Sequence, residues 1–121
     1  MSSKHDILKF KFKEIYKIYL NKIEKKGRTI EELDEVIFHL TGYTKANIES
    51  LDDSIDIETF FQNAPCLNSN RYLIKGTICN VKIEDITDMN MKEVRYLDKL
   101  VDELARGKSI EKILAKLVDM K

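Results

Sequence analysis

The chain has 121 residues, 43% of them apolar and 35% charged, with 21 basic side chains balancing 21 acidic ones. That composition is too apolar for a disordered chain and too charged for a membrane span. The length suits a single domain, residues 1–121, burying about two-thirds of its unfolded surface.

The neutral total hides a gradient. Residues 1–28 hold nine Lys/Arg against three acids, residues 29–65 one lysine against nine acids, and residues 66–121 eleven against nine. Exposure is the usual fate of such charge, so the basic end and acidic middle are expected to be solvated or to dock on each other. Lys4, His5, Asp6, Lys9, Lys11 and Lys13 interrupt the opening residues, which leaves no apolar core for a signal peptide. Two cysteines, Cys66 and Cys79, make no disulfide framework, and two distant histidines complete no metal set. The expectation is a cytoplasmic protein with reduced thiols, no metal and no cofactor.

Residues 1–8 read as a frayed start. Phe12, Ile15, Tyr16, Tyr19, Leu20 and Ile23 then fall on one helical face, with Gly27 placed to end the helix in a left-handed cap. Thr29 and Glu32 form a capping box for a second helix with Leu33, Val36, Ile37 and Leu40 inward, stopped by Gly42. A short helix follows over about 44–51. Asp56 reads as the N-cap of a helix over 57–63, with Ile55 and Phe60 spaced as a hydrophobic staple, and Pro65 closes it.

Residues 68–86 leave two alternatives. Leu73, Ile74 and Ile78 suit a helix over 69–78, with a short helical turn near Ile83–Ile86; the alternation Val81-Lys82-Ile83-Glu84 suits a strand. The first is preferred. Met91, Val94, Leu97, Val101 and Leu104 next mark one buried face of a helix over 90–106 ending at Gly107. On its other face Arg95 can pair with Asp98 and Asp102 with Arg106, and that face is expected to be solvated. Ser109 caps a last helix carrying Ile110, Ile113, Leu114, Leu117 and Val118.

The fold expected is an all-α bundle of five to seven helices. Its core is Tyr16, Leu33, Ile37, Leu40, Phe60, Leu73, Leu97, Val101, Leu104 and Leu114. The alternative is α+β, with a small hairpin spanning about 72–86. The full apolar stripe of the last helix must cover its own core or a second copy, and a closed homodimer is the expectation.

Several segments together resemble a bacterial family known as the domain of unknown function DUF2200. They are Lys26-Gly27-Arg28-Thr29, Leu40-Thr41-Gly42-Tyr43, Glu58-Thr59-Phe60-Phe61, and Ala64-Pro65 with Asn68 and Arg71. Ile78-Cys79, Val81, Glu84 and Ile86 continue the match to Arg95–Gly107 and then Glu111-Lys112-Ile113-Leu114, so it spans roughly residues 10–115. The chain departs at His39, Ser69 and Asn80, where the family tends to have Trp, Pro and Gly. It departs again at Asp88-Met89-Asn90-Met91, where the family tends to Asp-Pro-Leu-Met. The resemblance implies no catalytic residue, cofactor or partner.

Each candidate for chemistry has a plainer structural reading. Gly107-Lys108-Ser109 mimics the end of a phosphate-binding loop, but Asp102 stands where that motif needs glycine, so a helix stop and an N-cap are expected. Residues 31–51 can be laid on a DNA-reading helix-turn-helix about Gly42, yet Glu49, Asp52 and Asp53 make the segment acidic. The N-terminal lysines, interleaved with Phe10, Phe12, Tyr16 and Tyr19, could attract RNA, a membrane surface or an acidic partner. Nucleic-acid binding is disfavoured against a solvated helix. Cys79 with His39 as base is disfavoured because apolar neighbours raise a thiol pKa. Asn68, Asn70, Arg71 and Tyr72 after Pro65 form the polar group best suited to a ligand, where Arg71 could fork onto a small anion. The competing reading makes Asn68 a cap and pairs Arg71 with an internal acid. The pattern therefore points to a non-enzymatic binding or interaction module. The alternatives are a small-molecule or anion-binding enzyme at Asn68 and Arg71, or a nucleic-acid-associated protein.

Overall fold

The computed structural model describes residues 4–78 and 80–117, with side chains from Ile7 onward. Its elements are α1 (Phe12–Glu24), α2 (Ile30–Thr41), α3 (Lys45–Ser50), α4 (Ile57–Gln62), β1 (Thr77–Ile78), β2 (Val81–Lys82), α5 (Met89–Ala105) and α6 (Ile110–Leu114). Three 3-10 turns, Lys4–Lys9, Arg71–Leu73 and Ile83–Asp85, fill the intervals. The architecture is helical, with one two-stranded antiparallel hairpin in the register Thr77 with Lys82 and Ile78 with Val81.

The helix ends follow the caps read from the sequence. Gly27 adopts a φ of 79°, and Arg28 N–H reaches back to the Ile23 carbonyl at 3.0 Å. Thr29 and Glu32 form the capping box of α2. Asp56 accepts from Thr59 N–H at 2.8 Å to open α4. Gly42, at a φ of 84°, is required twice over, since a Cβ there would stand 2.8 Å from the Cys66 backbone nitrogen.

Helix α5 is the axis of the molecule. No residue from Asn90 to Ala105 is exposed. α1, α2, α4, α6, β1 and the first and last 3-10 turns all pack on it. The pairs Arg95–Asp98 and Asp102–Arg106 form, at 2.7 and 2.8 Å. The face that carries them is not solvated, however: three of these four side chains are only 14% exposed. Segments distant in sequence cover it. Tyr19 of α1 donates its hydroxyl to Asp98, and Lys22 lies 3.3 Å from Asp102. Arg28 grips Glu32 through Nε and Nη2 while Nη1 donates to the carbonyls of Leu104 and Lys108, at 3.2 and 2.8 Å.

The expected helix over 69–78 does not form. Gly76 at a φ of 118° and Asn80 at 65° turn the chain, and the β-branched pairs Thr77–Ile78 and Val81 flank that turn as strands. The hairpin held as the alternative is present, followed by the expected short helical turn at Ile83–Asp85. Losing the helix shifts the inward position by one: Leu73 is 39% exposed and Ile74 is buried in its place. The other expected core residues are buried, except Tyr16, which is half-buried because its hydroxyl donates to Asp34 at the rim. Within the expected frayed start, Lys4–Lys9 forms a 3-10 turn whose Leu8 is buried against the core.

The last helix closes on its own chain. Ile113, Leu114 and Leu117 are buried in the core and Ile110 packs against it, while Val118 lies outside the described residues. The basic start meets the acidic middle where Lys13 pairs with Asp53 at 2.8 Å. Beside that pair, the strand-like bridge at Lys11 and Asp56 joins the two backbones, with Phe12 N–H on the Ile55 carbonyl and Ile57 N–H on the Phe10 carbonyl.

Asn80 holds a left-handed conformation that costs a residue with a Cβ about 1–2 kcal/mol, less for asparagine and nothing for glycine. Asn80→Gly is therefore expected to raise the thermal midpoint and Asn80→Ala to lower it. A fall with the glycine variant would mean that the asparagine side chain holds the turn. The guanidinium of Arg28 keeps the Glu32 carboxyl below the usual carboxylate range, helped by the Thr29 N–H and hydroxyl. A depressed folded pKa contributes stability above the ordinary carboxylate pKa and loses it as pH falls through the folded value. Thermal melts from pH 7 to 3 should accordingly show a steeper loss in the native chain than in Arg28→Met.

Candidate functional site

The polar group singled out after Pro65 lies on a loop stitched to α2, to α5 and to the turn after α6. Cys66 N–H donates to the Thr41 carbonyl at 2.9 Å and Asn68 N–H to the Leu40 carbonyl at 2.8 Å, which lays the loop along the end of α2. The Asn68 amide nitrogen then donates to the carbonyls of His39 and Leu117, each at 2.9 Å, while its oxygen accepts from Asn70 N–H at 2.8 Å. An amide offers two donors and one acceptor atom, and all are used. Asn68 thus ties α2, the loop and the turn after α6 together.

Arg71 completes the lock. Its Nε donates to both oxygens of Glu93 on α5, at 2.8 and 3.0 Å, and its Nη1 donates to the Asn68 carbonyl at 2.9 Å. Glu93 is 6% exposed. A carboxylate so covered requires a cation and hydrogen bonds, and Arg71 supplies both. Nearby, burial, with the Glu93 charge adding to it, pushes the Tyr96 phenol up. Of the residues read as a site, Asn68, Asn70 and Arg71 are brought together. Tyr72 is 63% exposed and makes no hydrogen bond among the described residues.

Two open depressions flank this loop and share Leu67. One, of about 500 Å³, lies between Phe38, His39, Cys66, Asn68 and Leu117. The other, of about 250 Å³, lies between Phe61, Gln62, Arg71, Met89, Asn90 and Glu93. Phe38 is 46% and Met89 56% exposed at their rims. His39 Nε2 is 3.9 Å from Glu35, and Asn90 donates to Glu58 at 3.0 Å. Among the described residues no three His, Cys, Asp or Glu converge as a metal set. Cys79, the nucleophile weighed with His39, and the His5 side chain lie outside the described residues.

Sequence reasoning missed Phe38, Leu67, Met89 and Glu93. Phe38 falls off the inward stripe of α2, the one available signal that a large aromatic there faces outward. Glu93 sits one turn before Leu97 on a helix covered all round, which no local pattern reveals. The remaining candidates are structural: Gly107, at a φ of 94°, ends α5, and Ser109 accepts from Lys112 N–H to open α6. The helix-turn-helix-like corner about Gly42 buries Tyr43 and Ile48 and turns Lys45, Glu49, Asp52 and Asp53 outward.

Comparison with known proteins gives a family and one solved relative. The model of the family described as an uncharacterized protein conserved in bacteria, DUF2200, matches residues 6–115. A crystal structure of an uncharacterized protein, SP1917, is 38% identical and superposes with a TM-score of 0.89, covering 100% of this chain and 98% of that one. No curated protein matches the chain.

Removing the cation from a buried pair leaves the carboxylate uncompensated, at a cost of about 3–5 kcal/mol. Arg71→Met is expected to lose stability on that scale in urea unfolding, and adding Glu93→Leu should restore part of it. Equal stability of Arg71→Met and the native chain would show that the pair holds nothing together.

Proposed function

The chain belongs to the DUF2200 family, and we propose that it acts as a non-enzymatic interaction module of the cytosol, working through the surface around the 66–73 loop. One observation carries this reading. Four of the six large apolar side chains exposed among the described residues, Phe38, Tyr72, Leu73 and Met89, stand on or beside a loop whose polar groups are locked. Exposed apolar groups cost solubility, and their clustering is the usual mark of a surface that a partner covers. A rigid platform lowers the ordering cost of binding. Among the described residues the Arg71 guanidinium already spends Nε on Glu93 and one N–H of Nη1 on the Asn68 carbonyl, which reduces what it can offer a small anion.

The partner is a protein surface, either a second copy or another chain. Benzoylphenylalanine placed at Phe38 or Met89 in growing cells is expected to give photo-crosslinked adducts, and placed at the exposed Lys45 to give none. A homodimer would appear as an adduct of twice the 14.2 kDa chain mass, and a different partner as another mass. Equal yields at all three positions, or none at any, would reject the loop as the working surface.

A further inference from the structure

We propose that the hollow at the C-terminal end of α5 binds a phosphate-rich anion of di- or triphosphate size through Lys99, Arg106 and Lys108. This site lies apart from the 66–73 loop and does not rest on the interaction reading. Thr77, Lys99, Glu103, Arg106, Gly107 and Lys108 line an open depression of about 590 Å³, which is within the size range of small-ligand sites. Lys99 has no carboxylate within ion-pair distance among the described residues. Its ammonium lies over the bare backbone of Gly76, where a Cβ would come within 3.3 Å of it.

The other two cations have acid partners, but the pairs are layered. Asp102 is 14% exposed beneath an Arg106 that is 78% exposed, and Glu103 is 16% exposed beneath a Lys108 that is 36% exposed. An approaching anion meets the cations first. Lys22 of α1, 46% exposed, shares Asp102 with Arg106 and so helps to offset that carboxylate.

The end of a helix ordinarily repels anions, because its free carbonyls carry partial negative charge. Here three of the last four accept hydrogen bonds, that of Asp102 from Arg106 N–H at 3.0 Å. Gly107 N–H donates to the Leu104 carbonyl and Lys108 N–H to that of Glu103, both at 3.1 Å. The Arg28 guanidinium also sits on the carbonyls of Leu104 and Lys108. With most of the helix-end carbonyls engaged, the cations of α5 and the turn after it, Lys99, Arg106 and Lys108, line one space. That spread suits several linked phosphoryl groups better than a single one. The exposed Thr77 lines the same hollow and can donate its hydroxyl to a phosphate oxygen.

Tripolyphosphate and a short uridine oligonucleotide, titrated separately into the labelled full chain, distinguish a free polyphosphate from an RNA backbone as the source. Either should shift the amide resonances of Thr77, Gly107 and Lys108, with an affinity that falls as salt is raised. The ligand that saturates at the lower concentration identifies the source. Lys99→Gln should weaken binding about tenfold, the scale of one charge-assisted contact. Because Lys99 pairs with no acid, that variant should fold normally. Lys17→Gln, on the outer face of α1, should bind like the native chain. Shifts spread along α1 and unaffected by Lys99→Gln, or no shift with either ligand at millimolar concentration, would overturn the site.

Discussion

The enclosure of α5 is the constraint on which the rest of the structure depends. A helix that is apolar all round can be buried without further provision, but this one carries Glu93, Arg95, Asp98, Asp102 and Glu103 along its length. Each charge taken from water costs several kcal/mol unless a partner of opposite sign or a hydrogen bond replaces the solvent. The surrounding elements bring those partners one by one. Arg71 comes from the loop, Tyr19 and Lys22 from α1, and Lys108 from the turn after α5. Among the described residues no buried side-chain polar atom is left without a partner. The same pairings fix where each segment sits, since a covering element displaced by one turn would strand a carboxylate.

The 66–71 loop shows what this demands of an irregular segment. With no helix or sheet of its own, its backbone groups must bond elsewhere. They do so on the last turn of α2, through Cys66 and Asn68. Asn68 in turn holds the end of the chain at Leu117, and Arg71 holds the middle of the buried helix at Glu93. The polar residues that look most like a ligand site in the sequence are thus the ones that join α2, α5 and the turn after α6. The large apolar side chains beside them, Phe38, Tyr72, Leu73 and Met89, are exposed.

Local chemistry made much of this fold legible. The caps at Thr29, Asp56 and Ser109 and the stops at Gly27, Gly42 and Gly107 depend on residues within four positions of one another, and all are where the sequence puts them. The 69–86 stretch was harder because its helical and alternating patterns overlap. The choice between them rests on the left-handed Asn80 and on Gly76 lying under Lys99, the second a tertiary contact. The second face of α5 was misjudged for a related reason. A periodic pattern tells which side of a helix is apolar, but not whether a distant segment will cover the polar side. The Arg71–Glu93 pair, separated by 22 positions, belongs to the same class of information. The sequence offers an internal acid for Arg71 as one of two readings, but carries no sign of which acid it is.

The way α5 solves its charge problem also shapes the outside of the molecule. Aspartate and glutamate have short stems and stay at the helix surface, whereas lysine and arginine reach past them toward water. At Asp102 and Glu103 this leaves the carboxylates covered and the cations of Arg106 and Lys108 outermost. A stretch of helix that is nearly neutral by count therefore presents a positive surface. The acids of the middle segment, Glu31 and Glu35 on α2, Glu49 on α3, and Asp52 and Asp53 in the turn after it, sit at exposed positions and remain outermost themselves. A chain of zero net charge thereby acquires surfaces of opposite sign. The sign presented is set by which member of each ion pair is anchored to the buried helix.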